Sequence, residues 1–392
     1  MLKMDLSRAR IAVATLAVGL AFGAPLRAAD WTDKLSIHAY GGWAVGSSDP
    51  YAYLSGSGEG EVEVDNVDVV MLFNFRPTDD VQIVLAPEWE IEQEDGVTEQ
   101  SAKLELGSVE WSRSEKLRLR LGRNRLPFGI YTDIFDVGTL RPLFTLPQSI
   151  YGPTGFVSES YNGVGVGGLL VPAEGWELNY DFYVGGSDFK TDEIFEAAVE
   201  NPGEGDAGEE AEAGIEKLVG ARLTFGTPVE GLSVGFSAFA GEPESQGDFA
   251  LEDPAWGDFA SFGAHAELLR GPWSVRAEIG RHTEDEFTSR AGYLEIGRRF
   301  GPRWQAALRG ESVHLDFDEE LPPGAESLLD HDELVAGVSY WVTENFVIRL
   351  ACHQIEGNLF AHPEADELTE ALEEGTLDDS NRLISFGAQF SF

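Results

Sequence analysis

Polar and apolar residues alternate strictly along the last residues of the chain, which ends on an aromatic residue. In a strand, one face would carry the apolar members of this segment, which are Ile384, Phe386, Ala388, Phe390 and Phe392. An exposed strand with such an apolar face would be an aggregation hazard in water. The pattern therefore predicts a sheet with one face covered by a protein core or by lipid.

The same period of two recurs along the chain in about sixteen segments of roughly ten residues, the length that crosses an outer membrane when a strand is tilted. Short turns are predicted at 77–80, 113–115, 172–175, 227–231, 270–272, 301–303 and 343–345. Longer loops are predicted at 45–65, 92–100, 126–160, 185–216, 242–258, 283–289, 315–332 and 356–381.

Strict alternation of turns and loops favours an all-β fold, a transmembrane antiparallel up-and-down β-barrel of about sixteen strands with both termini on the short-turn side. Aromatic residues beside the short turns, such as Trp176, Trp273 and Trp304, fit the girdle of such a barrel. The alternative is a soluble β-sandwich, whose connections need not alternate in length.

Residues 1–29 are predicted to be a cleaved secretory signal peptide, because Lys3, Arg8 and Arg10 precede the short apolar run 11–24. A retained helical anchor is the alternative. Nothing after this segment marks a domain boundary, so 30–392 is predicted to be a single barrel domain. Export and a barrel together indicate the outer membrane of a Gram-negative cell.

The net charge of −42 argues against nucleic acid as a partner, because phosphates would be repelled. Most of the acidic residues lie in the predicted loops, which are either solvated or loosely bind Ca2+ or Mg2+ that bridges to lipopolysaccharide. The series Asp316, Asp318 and Glu320 lacks the glycine and the final glutamate of a calcium loop. No cofactor and no specific metal site are therefore expected.

A sixteen-stranded barrel is too wide for its side chains to fill, so it encloses an aqueous channel. The third loop, 126–160, is long and unusually apolar for a surface loop, which predicts that it folds into the barrel and narrows the channel. Packing on neighbouring loops or another subunit is the alternative.

Basic residues precede this loop. If the leucines of 117–121 face lipid, then Lys116, Arg118 and Arg120 face the channel, whereas Arg123 and Arg125 have the opposite parity and reach it only through a bulge or beyond the strand end. Either these arginines form a basic ladder opposite carboxylates of the third loop, or they pair with Glu177, Glu278 and Glu311 of the wall. The candidate constriction residues are Lys116, Arg118, Arg120, Arg123, Arg125, Asp133, Asp136 and Arg141.

The segments 122–129 and 146–151 resemble the fifth strand and third loop of Gram-negative porins, particularly relatives of the phosphate-selective porins. The chain end also resembles the membrane-insertion signal of outer-membrane barrels, with Phe386, Gly387, Phe390 and Phe392 at the matching positions. The resemblance implies passive diffusion, a homotrimer, and contacts with the barrel-assembly machinery, outer-membrane lipid and lipopolysaccharide. The lysine-rich entrance of phosphate-selective members is missing here.

The sequence thus predicts a water-filled channel for small hydrophilic solutes and ions, without enzymatic activity, since the seven histidines form no catalytic motif. Two alternatives remain, a phosphate-like anion channel and a surface adhesin or receptor without a channel.

Overall fold

The computed structural model describes residues 33–54, 56–58, 60, 62–94, 97–152, 156–191, 211–243, 259–284, 287–317, 324–363 and 365–392. The predicted signal peptide, 1–29, lies outside these residues.

Within these ranges, sixteen antiparallel strands form one closed barrel. They are β1 (Leu35–Asp49), β2 (Glu63–Thr78), β3 (Val81–Glu94), β4 (Val97–Ser114), β5 (Leu117–Arg125), β6 (Ser160–Ala173), β7 (Trp176–Thr191), β8 (Ala211–Gly226), β9 (Leu232–Pro243), β10 (Phe259–Arg270), β11 (Trp273–Glu284), β12 (Phe287–Phe300), β13 (Trp304–Phe317), β14 (Asp330–Thr343), β15 (Phe346–Glu356) and β16 (Ser380–Ser391). The predicted fold class is confirmed, and each strand pairs with its neighbour in sequence.

The last strand closes the barrel against the first. Tyr40 pairs with Ser391, and the register continues to Asp49 opposite Arg382. The outward rings of Trp43 and Phe386 meet at 5.7 Å between centroids. The terminal pattern therefore marks the strand that removes the free edges of the sheet.

All seven short turns lie where the sequence predicts them, but two of the predicted long loops are wrong. The predicted loops 92–100 and 283–289 are largely strand, because β3 pairs with β4 up to Glu94 opposite Val97 and β11 pairs with β12 up to Glu284 opposite Phe287. Acidic and polar residues there indicated loop, yet a strand pair that rises above the lipid meets water on its outer face and needs no apolar residues.

The outer face of the barrel is apolar and the inner face is polar. Outward positions such as Phe182, Phe262 and Ile279 leave half or more of their surface exposed, and the aromatic residues beside the short turns also point outward. Arg298, the outward charge near a turn, lies over the Trp273 ring at 4.7 Å. This arrangement suits a barrel surrounded by lipid.

Helices in the described residues are short and lie in the loops. The 3-10 turns are Tyr131–Ile134, Gly138–Leu140 and Glu326–Leu329, and the α-helices are Gln148–Tyr151 and Ala365–Glu374. The first long loop carries a small hairpin of Ala52–Tyr53 and Gly56–Ser57. In the part of the chain that the structure describes, no helix has the length and apolar character needed to cross a membrane.

Candidate functional site

The third loop, 126–159, lies inside the barrel. Its apolar side chains pack on inward side chains of the wall and form the largest buried cluster of the described residues, which includes Leu126, Phe128, Tyr131, Leu146, Ile150, Tyr151 and Phe156 from the loop and Tyr183, Phe239, Phe259 and Tyr293 from the wall. The loop composition that predicted burial is explained by this packing, because a barrel lumen offers the only large concave surface within reach.

One wall carboxylate, Glu278 of β11, holds the start of the loop. Its oxygens accept hydrogen bonds from the hydroxyls of Tyr151 at 2.6 Å and Tyr293 at 2.5 Å, and from the backbone N–H of Ile130 at 3.2 Å. Glu278 is 3% exposed. The Ile130 N–H also donates to the Tyr151 hydroxyl oxygen at 3.0 Å, so Glu278 and Tyr151 together bind the backbone at the start of the loop.

Tyr131 links the loop to the next strand. Its hydroxyl donates to Glu295 at 2.5 Å, and Arg276 places a guanidinium nitrogen 3.4 Å from the same carboxylate oxygen. Burial, and then the Glu295 carboxylate, raise the pKa of Tyr131 well above its ordinary value. The phenol therefore stays neutral and remains a donor to Glu295.

The return path of the loop follows β13. Arg309 donates to the Thr145 carbonyl oxygen at 2.8 Å and to Glu311 at 2.8 Å. The other oxygen of Glu311 accepts the backbone N–H of Ser149 at 2.8 Å. A buried ion pair of the wall thus provides both an acceptor and a donor to the loop backbone.

The tip of the loop reaches the last strands. Arg349 donates to the carbonyl oxygen of Gly138 at 2.9 Å and also bonds to Gln389, and the hydroxyls of Thr139 and Ser391 lie 3.0 Å apart. The loop therefore contacts the wall from β8 to β16 and also, through Asp136 and Val137, the side chains of Tyr40 on β1 and Val70 on β2, and it leaves open lumen on the opposite side.

That opposite side, formed by β3–β8, carries charged side chains that water reaches. Arg120 bonds to Glu110 at 3.2 Å and to Asp181 at 2.8 Å. Arg222 joins Asp181 at 3.4 Å and Asp133 of the loop at 2.9 Å. The Asp133 side chain is 59% exposed although it lies inside the barrel wall. Water therefore fills the space between the loop and these strands.

The predicted constriction residues separate into different places. Lys116 lies in the turn before β5, at the short-turn end and away from the loop. Arg118 and Arg120 take inward positions, as their parity predicts, because Leu119 and Leu121 are exposed outward. Arg123 bonds to Asp188, and both share the parity of outward residues, so Arg123 lies on the outer surface.

Arg125 ends β5 and turns into the lumen, where it pairs with Glu105 at 2.9 Å and with Asp136 of the loop. Glu105 is the extra residue of a bulge in β4, between the pairs Ala86 with Leu106 and Pro87 with Leu104. The carboxylates of the loop are thus bound by Arg125 and Arg222. Among the described residues, no ion pair joins Arg118 or Arg120 directly to Asp133 or Asp136, and Arg120 pairs with Glu110 and Asp181 of its own wall.

Arg141 lies at the loop tip, and burial lowers its pKa to about 10, so it remains charged at neutral pH. Within the described residues, no ion pair joins Arg118 or Arg141 to a carboxylate. Of the five arginines among the predicted constriction residues, Arg120, Arg123 and Arg125 are therefore ion-paired, and Arg118 and Arg141 have no carboxylate partner within the described residues.

Sequence reasoning missed the residues that hold the loop. The sequence indicated Glu278 as a wall partner for arginines and not as a residue that holds the loop. Glu295 and Glu105 gave no signal beyond inward parity, which Glu105 has only through its bulge. Lys103, 3.2 Å from Glu88, was also missed. Parity identifies the inner face, but it does not tell which inward carboxylates meet the loop.

A serine, a histidine and a glutamate are also aligned in the lumen. Ser261 lies 2.9 Å from His282, and His282 lies 3.5 Å from Glu284. Ser261 and His282 are completely buried, and the rings of Phe156 and Phe259 cover the imidazole. A substrate has no access to this hydroxyl.

Comparison of the fold with solved structures finds many similar chains, and three of them serve as examples. The first is OmpF of Salmonella typhi in complex with daunomycin, which is 11% identical to this chain, with a TM-score of 0.56 and coverage of 91% of this chain and 97% of that one. The second is an anion-selective porin from Comamonas acidovorans, which is 9% identical, with a TM-score of 0.55 and coverage of 92% of this chain and 100% of that one. The third is the outer membrane channel DcaP of Acinetobacter baumannii, which is 10% identical, with a TM-score of 0.55 and coverage of 91% of this chain and 97% of that one. No family model matches the sequence, and no curated protein is similar to it in sequence. At such identities the likeness establishes a shared fold.

Proposed function

We propose that this protein is an outer-membrane porin, a channel through which small hydrophilic solutes and ions diffuse passively. The main observation behind this proposal is the contrast between the two faces of the closed barrel. The outer face is apolar, while the Asp133 side chain inside the barrel is 59% exposed to water where it pairs with Arg222. A continuous hydrophilic interior inside a lipid-facing wall is the physical requirement of a diffusion channel.

The channel runs between the third loop and strands β3–β8. On the other side, the loop packs against the wall and excludes water from it. Because field strength depends on the charges nearest the narrow part of a channel, the groups that set selectivity are Arg118, Arg120, Arg222 and Asp133. Most of these are paired with opposite charges, so the expected selectivity is modest.

An anion-preferring channel is the second candidate. It is favoured by Arg118 and Arg141, which have no ion-pair partner among the described residues. Replacing either with Ala should shift the reversal potential in a salt gradient towards cations. If neither single replacement nor the double replacement moves the reversal potential, the anion-preferring candidate is wrong.

The proposal includes a location in the Gram-negative outer membrane, contacts with its lipid and lipopolysaccharide, insertion by the barrel-assembly machinery and a homotrimeric state. It includes no enzymatic activity and no cofactor, with at most loosely bound Ca2+ or Mg2+ at the acidic loops. The burial of Ser261 beneath aromatic rings supports the absence of hydrolysis. Native mass measurement of the detergent-solubilised protein tests the trimer.

Conductance across a planar bilayer tests the channel itself. Purified, folded protein should insert in discrete steps and give an ohmic current that scales with salt concentration. A folded protein that inserts into the bilayer and gives no current would contradict the proposal and favour the adhesin or receptor alternative. Swelling of liposomes in sugars of increasing size then measures the size limit.

A further inference from the structure

Three of the inward glycines on the wall that the third loop covers lie close to apolar side chains of the loop. Gly263 lies on β10, Gly280 on β11 and Gly337 on β14, and each follows or precedes an outward residue, Phe262, Ile279 or Val338. We call Gly263, Gly280 and Gly337 the wall glycines. Glycine weakens the interior of a strand, and often marks a place where another group approaches closely.

Each wall glycine lies directly under an apolar side chain of the loop. A Cβ added to Gly263 would lie 2.9 Å from Phe128 Cζ, one on Gly280 would lie 2.8 Å from Phe156 Cε1, and one on Gly337 would lie 2.5 Å from Leu143 Cδ2. Real Cβ atoms essentially never approach other heavy atoms within 3.0 Å. A larger residue at these positions therefore requires the loop side chain above it to shift, either by rotation of that side chain or by movement of the loop away from the wall.

The wall glycines are distinguished by contact with side chains of the loop, because crowding alone occurs elsewhere in the lumen. Inward glycines elsewhere, Gly165 and Gly220, lie under tyrosines of their own wall, Tyr161 and Tyr183. On the lipid side, Gly310 meets nothing within 4 Å. Only the glycines beneath the loop leave space that loop side chains fill.

The three contacts are spread along the loop. Phe128 lies at its start, Leu143 near its middle and Phe156 near its end, so the three glycines fix its distance from the wall at well-separated points. Gly387 on β16 is a fourth close point, under Phe144, but a Cβ there would also meet the Trp43 carbonyl oxygen at 2.7 Å. It is therefore a poorer position for a test.

We propose that the wall glycines are positioning residues: they set the distance between the third loop and the wall, and this distance sets the width of the channel. This inference rests on the proposed channel function. A methyl group at a wall glycine moves the loop towards β3–β8, the side on which the water-filled space lies. The channel narrows, although no residue that lines it has been changed.

Graded replacement at Gly280 and Gly337 tests the inference. Single-channel conductance should fall from wild type to Gly280→Ala and further to Gly280→Val, and Gly337→Ala should behave like Gly280→Ala. Gly310→Ala is the matched control, since it adds the same methyl group to a strand where space is open. Heat-modifiable electrophoretic mobility verifies that every variant is a folded barrel.

A double-mutant cycle distinguishes an effect of the added methyl group on the position of the loop from a general effect on the strand. Leu143→Ala removes the Cδ atoms that Gly337→Ala would meet, so Gly337→Ala should change conductance in the wild-type background and leave it unchanged in the Leu143→Ala background. An equal change in both backgrounds, or folded glycine variants that conduct like wild type, would overturn the inference.

The two levels of failure are distinguishable. Wild-type protein that inserts without conducting contradicts the channel itself. Wild-type protein that conducts, together with glycine variants of unchanged conductance, contradicts only the role of the wall glycines.

Discussion

The two walls of the barrel share one sequence pattern and differ in what lies against them. On the wall of β9–β16, inward carboxylates such as Glu278, Glu295 and Glu311 are buried beneath the third loop and bind its backbone and tyrosines. On the wall of β3–β8, inward charges such as Arg120 and Glu110 pair with each other and remain in contact with water. One wall is the support of a packed core, and the other is the side of a channel.

This difference shows that the contribution of an inward charged residue to the stability of such a wide barrel depends on whether the third loop covers it. A carboxylate beneath the loop is desolvated and its loss leaves buried donors without partners, whereas a carboxylate on the open wall loses an interaction that water replaces. Equal chemistry and equal parity therefore give unequal contributions to stability.

Removal of the third loop should have the largest effect on this comparison. Replacement of 126–159 by a short linker would expose the buried wall, widen the channel and make the two walls alike. Each large apolar side chain that loses its burial weakens the barrel by about 1.5–3 kcal/mol, so the folded state should be less resistant to heat as well. Single-channel conductance and heat-modifiable mobility measure the two effects. An unchanged conductance would mean that the loop does not limit flow.

Truncation of one carboxylate on each wall should have the next largest effect. Glu278→Ala leaves the hydroxyls of Tyr151 and Tyr293 without their acceptor, at a cost of about 1–3 kcal/mol for each buried group. Glu110→Ala removes a water-accessible ion pair worth about 0–1 kcal/mol, and Arg120 keeps Asp181. Urea unfolding in lipid vesicles, followed by tryptophan fluorescence, compares the two variants. Equal losses would contradict the distinction between the walls.

The smallest effect is expected on ion selectivity. Asp133→Asn removes an exposed negative charge from the channel, so the reversal potential in dilute salt should shift towards anions. The shift should shrink in concentrated salt, because the Debye length falls from about 10 Å at 0.1 M to about 3 Å at 1 M. Glu295→Gln, beneath the loop, should shift the potential less. If Glu295→Gln shifts the reversal potential more than Asp133→Asn does, ions pass along the wall of β9–β16 and the proposed path along β3–β8 is wrong.

The barrel and its inner and outer faces could be predicted because they depend on local pattern. Alternation from Ile384 to Phe392 and the turn residues act over two to five positions, and the resulting strand order needs no long-range information. The errors at 92–100 and 283–289 have a local cause as well, since strands above the lipid carry polar residues on both faces.

The site could be predicted only in part. The apolar composition of 126–160 indicated burial, and Arg118 and Arg120 face inward as parity requires. Parity does not determine which ion pairs these arginines form. Arg120 pairs with carboxylates on β4 and β7, and Asp133 of the loop pairs with Arg222.

The sequence by itself determined a closed barrel, the parity of every strand and a third loop that requires burial. Tertiary structure alone decided which wall the loop covers, which carboxylates hold it and which charges remain in water. The physical reason is distance along the chain. Ile130 meets Glu278, a residue 148 positions later, and such a contact follows from the closure of the whole barrel and has no trace in a pattern of period two.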